Sequence, residues 1–332
     1  MRAFVTGSSG FIGGRLAAKL AEEGFDVYGL VRKTSRLDGL RKGDIKLVRG
    51  DLRDSASLGD GVRDKDYVFH LAGVIRALDW KTYHEVNVIG TRNLLEACRN
   101  GTRNLKKFVF VSSISAAGPS HPGHPLSEDD PCRPVSPYGR SKLLAERLVQ
   151  SYGDDFPITI IRPPNVLGPR QQELWETIKL LGNRLWPTVG SAARQTNLVS
   201  VDDLVRALVL AALLPQSAGQ TYFVTDGTAY TWTEITDAIA EELGRKKIYF
   251  KIPYALEYGI AAVSEIVSRI RGSEPLLTRQ NMAAALKYSW VYDSGKIERE
   301  LGFEPAMDMK ETIRWTVAWY RDRGMLKGRR RA

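Results

Sequence analysis

Val5-Thr6-Gly7-Ser8-Ser9-Gly10-Phe11-Ile12-Gly13-Gly14 decides the fold. It follows an apolar run, Ala3 to Val5, and opens an amphipathic one, Phe11 to Glu23. That order reads as strand, tight turn, helix. Gly7, Gly10 and Gly13 stand at G-x-x-G-x-x-G spacing. The first glycine allows backbone angles that a Cβ forbids. The second lets main chain approach a pyrophosphate, and the third lets the helix pack close on the strand. The helix N-terminus adds free N–H groups and a partial positive charge. Gly7, Ser9, Gly10, Phe11, Ile12 and Gly13 are therefore the candidate phosphate-cradling positions. Glycine turns without a ligand share this spacing; the setting between strand and helix separates the two.

Outward from that turn, strands and helices alternate. Strands are expected at Arg2–Val5, Asp26–Val31, Ile45–Val48, Asp66–Leu71, Lys107–Val111 and Pro157–Ile161, and helices at Trp80–Arg99 and Pro137–Tyr152. The alternation predicts an α/β fold with a doubly wound parallel sheet, whose ligands bind beyond the carboxyl ends of the strands. Later, helices are expected at Gln172–Leu185, Val201–Leu214 (capped by Asp202 or Ser200), Trp232–Leu243, Tyr254–Ile270, Ser294–Leu301 and Met309–Arg323, with one short strand at Tyr222–Val224. This predicts an interleaved, mostly helical C-terminal lobe. The expected division is 1–166, continued by about 197–226, for the sheet domain; 167–196 and 227–326 for a substrate lobe; and 327–332 for a basic tail.

The chain has 332 residues, 43% hydrophobic and 26% charged, as in a soluble globular protein. Its two cysteines, Cys98 and Cys132, fit a reducing, cytoplasmic setting rather than a disulfide framework. No signal-peptide pattern or membrane span is read. A net charge of +10 admits an anionic partner, but the basic residues are scattered apart from Lys327 to Arg331, so no nucleic acid is expected. No metal site is read.

After the second strand, where an NAD site carries an acid, the chain reads Arg32-Lys33-Thr34-Ser35-Arg36. Arg32, Lys33 and Arg36 would attract a 2′-phosphate, favouring NADP(H) with NAD(H) possible. Asp51, after the third strand, is placed to accept from an adenine amino group, or is a turn aspartate. Leu71, Ala72 and Gly73 would run beside a cofactor. His70 reads as structural. Tyr138 and Lys142 are spaced i, i+4 and share a helix face. A lysine ammonium one turn away, with an oxidised nicotinamide nearby, favours phenolate and lowers the phenol's pKa. Ser113, at the end of the neighbouring strand, would hold a substrate oxygen. Together they form an acid/base site for moving a proton while hydride passes to or from nicotinamide.

At this point the chain resembles the extended short-chain dehydrogenase/reductases of the epimerase/dehydratase superfamily. The resemblance rests on Thr6 to Gly13, Gly50-Asp51-Leu52, His70 to Gly73, Asn87 to Ala97, Val111-Ser112-Ser113, Pro137 to Lys142, Arg162 to Pro169 and Val201 to Leu204. It implies a Rossmann sheet, with Tyr138 as acid/base, Lys142 on the nicotinamide ribose and Ser113 on the substrate oxygen. It adds Leu52 to the adenine pocket and Pro163 to Val166 near the nicotinamide. It also implies a homodimer through the 80–99 and 137–152 helices.

The departures narrow the reaction. Dehydratases of the family carry an acidic pair where this chain has Ile114-Ser115. Arg194 stands out of register with the arginine of sugar-nucleotide epimerases, although Asn165 and Gly168-Pro169-Arg170-Gln171 resemble them. Arg32 resembles the ketone-reducing, hydroxysteroid and dihydroflavonol members. The leading expectation is an NADP(H)-dependent oxidoreductase acting on a small-molecule secondary alcohol, ketone or aldehyde. The alternative is a nucleotide-sugar epimerase retaining its cofactor; an inactive NADP-sensing or nucleic-acid-binding relative ranks third. The substrate pocket is expected from Pro119–Ser136, Gln171–Gln195 and the helices after Tyr254, with Trp175, Trp186, Tyr254 and Tyr258 as aromatic candidates.

Overall fold

A computed structural model describes residues 1–38, 40, 45–102, 104–121, 123–182, 185–188, 194–245, 248–251, 259, 262–268 and 287–326. The first half runs β1 (Arg2–Thr6), α1 (Phe11–Glu22), β2 (Asp26–Val31), β3 (Ile45–Arg49), α2 (Gly59–Val62), β4 (Tyr67–His70), α3 (Trp80–Tyr83), α4 (Gly90–Gly101), β5 (Lys107–Val111), α5 (Ile114–Ala117), α6 (Pro137–Gln150) and β6 (Ile158–Arg162). Then come β7 (Asn165–Leu167), α7 (Gln172–Gly182), β8 (Leu185–Thr188), β9 (Gln195–Ser200), α8 (Val201–Leu213), β10 (Thr221–Phe223), β11 (Ala229–Thr231), α9 (Trp232–Leu243), β12 (Ile248–Lys251), α10 (Gly295–Leu301) and α11 (Met309–Asp322).

Seven strands form one parallel sheet in the order β10-β6-β5-β4-β1-β2-β3. β5 and β6 are buried along their whole length, as strands covered on both faces must be. One apolar cluster packs α1 and α8 on one face; the other packs α4 and α6 on the opposite face. The direction of winding reverses between β1 and β4, so the crevice beyond their carboxyl ends is the natural ligand position. Gly7 and Ala72 meet there.

The sequence reading and the structure differ at definite places. The helix expected over 80–99 is interrupted by a π-helical turn, His84–Ile89. The Thr91 hydroxyl donates to the Asn87 carbonyl at 2.6 Å across that turn. The second lobe is less helical than expected. β11, β9 and β7 form a small sheet, and β12 pairs with β8. These strands are short and pair across long sequence separations, so alternation within each is too brief to detect. Ser200 caps α8, accepting from Asp203 N at 3.0 Å, while Asp202 takes a bidentate bond from Arg15 of α1 at 2.6 and 2.8 Å.

Asp203 is buried. It accepts from Arg206, from the Ser200 hydroxyl and from the backbone N–H groups of Ala306 and Met307. The two aspartates thus fasten α8 to the sheet domain on one side and to the start of α11 on the other. Trp175, half-buried, stacks on Tyr320 with ring centroids 4.5 Å apart and packs against an apolar cluster that includes Leu174, Ile178 and Ile313. Tyr254, Tyr258, the side chain of Trp186 and the tail from Lys327 to Arg331 lie outside the described residues, as does most of the Tyr254–Ile270 helix; residues 262–268 of it are helical.

Candidate active site

The glycine turn is built as its spacing requires. Gly7 has φ +72°, and a Cβ there would lie 2.9 Å from Ala72 N. A Cβ on Gly13 would lie 2.2 Å from the Gly7 carbonyl oxygen, so helix and turn close only on glycine. Gly10 is exposed, and a Cβ there would meet only Gly7 O, at 3.1 Å. It is the N-cap of α1, with no side-chain cap and no acid in the first turn. The helix end is therefore left open toward solvent, a cradle suited to an anion. Ser8 turns inward and donates to Leu30 O at 3.0 Å.

Behind the turn lies a buried relay. Thr6 Oγ1 accepts from Leu71 N at 3.2 Å and Ala72 N at 3.1 Å, and it lies 2.7 Å from His70 Nδ1. With both lone pairs of Thr6 taken, its proton goes to Nδ1. His70 then carries its proton on Nε2 and donates to Thr91 Oγ1 at 2.9 Å. Burial pushes the His70 pKa down to about 3, with Lys142 acting in the same sense. This is the structural role expected for it. Asn87, in the π turn, has a role that the sequence reading missed. Its side chain accepts from Val74 N at 2.7 Å and donates to Val74 O at 2.9 Å and to Ser141 Oγ at 2.9 Å. Ser141 Oγ donates in turn to Tyr138 O. The loop leaving β4 is thereby tied to the helix that carries Tyr138, and Gly73 stays small because a Cβ would lie 3.0 Å from Asn87 Oδ1.

At the end of β2, Arg32, Lys33 and Arg36 are all exposed, on a turn closed by Ser35 Oγ accepting from Arg32 N at 2.9 Å. Asp51 is engaged by Arg53, whose Nη2 lies at 2.9 Å and Nε at 3.2 Å. That pairing, with the nearby Arg32 charge, holds its carboxyl below the usual range. Leu52 is buried against Gly90, and its carbonyl accepts from Asn93 at 2.7 Å.

Ser113 caps α5, accepting from Ser115 N at 3.2 Å, and its hydroxyl lies close enough to the Tyr138 phenol to lower that group's pKa. Ser136 caps α6, with Pro137 in the first turn. This fixes where the helix begins and hence where Tyr138 points. Gly139 lets α6 seat on α5: a Cβ there would lie 2.1 Å from Ser115 O. The Tyr138 ring sits 6.3 Å from that of Tyr83. Lys142 is buried; its ammonium donates to Val111 O at 2.8 Å and lies 4.2 Å from the Phe110 ring centroid.

Burial raises the Tyr138 phenol to about 12, and the Ser113 hydrogen bond only partly offsets it. Lys142 is not among the groups that shift it. Burial lowers the Lys142 ammonium to about 8, against the opposing pull of Glu146. Burial thus favours the neutral phenol, the form that can donate a proton. Pro163 O accepts from Ile114 N at 3.1 Å, and Val166 is buried beside the same strand ends.

The family model described as the NAD dependent epimerase/dehydratase family matches residues 3–224. A 2-alkyl-3-oxoalkanoate reductase from Stenotrophomonas maltophilia is 29% identical over 329 residues, covering 95% of this chain and 98% of its own. A UDP-glucose 4-epimerase from Mycolicibacterium smegmatis is 34% identical over 263 residues, covering 74% and 83%. The UDP-glucose 4-epimerase of Thermus thermophilus, solved in complex with NAD, superposes with a TM-score of 0.77 at 27% identity, covering 97% of this chain and 99% of its own. The chain belongs to the NAD dependent epimerase/dehydratase family and is a nicotinamide-dinucleotide-dependent enzyme of the extended short-chain dehydrogenase/reductase type.

Proposed function

We propose that this enzyme transfers hydride between NADP(H) and a ketone or aldehyde, or the corresponding secondary alcohol. The observation that carries the reading is the Tyr138 phenol, with Ser113 next to it, at the same strand ends as an open glycine cradle. Gly7, Ser9, Gly10, Phe11, Ile12 and Gly13 would hold the pyrophosphate; Asp51, Leu52, Leu71, Ala72 and Gly73 the adenosine side; Lys142, Pro163 and Val166 the nicotinamide end. The bound cofactor supplies or accepts the hydride. Tyr138 gives its proton to the substrate oxygen as reduction proceeds, and Ser113 donates a hydrogen bond to that oxygen. Lys142, buried and donating to Val111 O, would present its ammonium to the nicotinamide ribose. Ile114 and Ser115 supply no carboxylate at the neighbouring carbon, which argues against dehydration.

Three exposed cations after β2, with no acid among them, support NADP(H) over NAD(H). The relative from S. maltophilia, by its name a reductase of 3-oxoalkanoates, supports a carbonyl substrate. The epimerase reading is favoured by the M. smegmatis relative and by the exposed Asn165. The domain division at 166, 197 and 226 belongs to this proposal. So does a homodimer through α3–α4 and α6, where Trp80 is exposed and Arg140 lies 5.1 Å from its ring. Among the described residues no helix is long and apolar enough to cross a membrane, and we place the enzyme in the cytoplasm.

The test is a panel of carbonyl compounds, 2-alkyl-3-oxoalkanoates included, read by loss of NADPH absorbance. Stoichiometric NADPH consumption is expected, with Tyr138→Phe lowering kcat by about 10²–10⁴-fold and leaving NADPH affinity within about twofold. Turnover of UDP-glucose without net cofactor oxidation would establish the epimerase instead.

A further inference from the structure

Ser113 stands on a weak support. α5 is a single turn, Ile114–Ala117, too short to hold its own position. It ends at Gly118, with φ +95°. Its ends are fixed from outside: Ile114 N donates to Pro163 O, and Arg133 N donates to Ala117 O at 2.6 Å. The remaining anchor comes from the far end of the chain. The Tyr292 hydroxyl donates to Gly118 O, with Ile114 O as a second acceptor at 3.3 Å. Tyr292 is buried, and burial raises its phenol well above the ordinary value, so it stays a donor.

Tyr292 sits on an extended strap, residues 289–293, stitched on both sides. On one side Ser120 N donates to Ser289 O at 3.0 Å, Leu126 N to Val291 O at 3.0 Å, and Asp293 N to Leu126 O at 2.8 Å. On the other, Trp290 N donates to Gln195 O at 2.8 Å and Asn197 N to Trp290 O at 3.0 Å. Asn197 Oδ1 accepts from Tyr292 N at 2.6 Å. The strap therefore joins β9 of the lobe, the loop after α5 and the turn that presents Ser113.

We infer that Tyr292 is a positioning residue for the reaction proposed above: its hydroxyl fixes the α5 turn so that Ser113 meets the Tyr138 phenol and the substrate oxygen together. Through its phenolic hydroxyl Tyr292 thus acts on the chemistry by way of the α5 turn.

Tyr292→Phe keeps the ring against Phe223, 4.6 Å away, and removes only the hydroxyl. Amide hydrogen exchange across 113–118 is expected to rise about fivefold or more, with α1 and β1 unchanged. Ser120→Ala, which frees only Val291 N from its 3.1 Å bond, is expected to raise the same amides by less, and it decides the matter if Tyr292→Phe does not fold. On the carbonyl substrate, Tyr292→Phe should lower kcat about tenfold with NADPH affinity unchanged, yet change it by less than about twofold in a Ser113→Ala background. Unchanged exchange at 113–118 overturns the positioning role whether or not a substrate has been found. Equal kcat losses in both backgrounds overturn its action through Ser113. A wild-type enzyme that turns over no carbonyl counts against the reductase reading and leaves the exchange measurement to decide this one.

Discussion

The glycine-turn region and the C-terminal region of this enzyme are held in place by different means. In the first, position is set by backbone meeting backbone: Gly7 against Ala72, Gly13 against Gly7 O, Gly139 against Ser115 O. In the second, it is set by single polar side chains reaching across the chain: Asp203 to Ala306 and Met307, Asn197 to Tyr292, Tyr292 to Gly118. The first kind of contact has no room to vary. The second tolerates any sequence that keeps one donor or acceptor in place. The difference teaches why the chemistry of such a protein can be read from residues while its substrate cannot.

The contrast can be broken in three places. The largest effect is expected from Gly13→Ala, whose methyl group would sit 2.2 Å from the Gly7 oxygen. Backbone must shift to admit it, at a cost of about 1–3 kcal/mol or more. A sharp fall in Tm and loss of NADPH binding should follow, while Gly10→Ala, exposed and meeting only Gly7 O at 3.1 Å, should lower Tm far less and weaken NADPH binding. Wild-type binding by Gly13→Ala would end the claim that this region is steric.

Asp203→Ala comes next. It strands two backbone N–H groups and the Ser200 hydroxyl, and should cost about 3 kcal/mol in thermal or urea unfolding. Cofactor affinity should hold, because no bond of Asp203 reaches the glycine turn. If NADPH affinity fell as far as stability, the two regions would not be separable in this way.

The third effect is one of pH. The folded-state pKa of His70 lies near 3, below its unfolded value of about 6.5, so the unfolded chain binds the extra proton between those values. Stability should therefore fall as pH drops from about 6.5 toward 3, and His70→Gln should flatten that part of the profile. An unchanged acid limb in His70→Gln would mean that other groups set it. Asp226 sharpens the contrast. Burial raises its carboxyl to about 6, so it works in the opposite sense, costing stability as pH rises from about 3.8 through 6.

What could be read from the sequence follows the same division. β1, the glycine turn and α1 were legible because each signal lies within a few residues of the next. Tyr138 and Lys142 were legible because helical spacing fixes their common face. The burial of the Tyr138 phenol was not: spacing shows an ammonium one turn away but says nothing of how much water the folded site excludes. Asn87 stands in a recognisable motif, yet its bond to Ser141 depends on a π turn that no local pattern announces. Tyr292 stands 174 residues from Gly118, which it anchors. Trp175 was legible as apolar, and only packing could set it against Tyr320 and the cluster beside it.

One feature of the sheet bears on how the chain is made. β6 takes its outer neighbour, β10, only after β7, α7, β8, β9 and α8 have intervened. During synthesis β6 therefore leaves the ribosome with a bare hydrogen-bonding edge, open to mispairing until Thr221–Phe223 arrive. A nascent chain stalled before that point should be the form most dependent on chaperones, and a truncated dinucleotide domain should not be expected to survive alone.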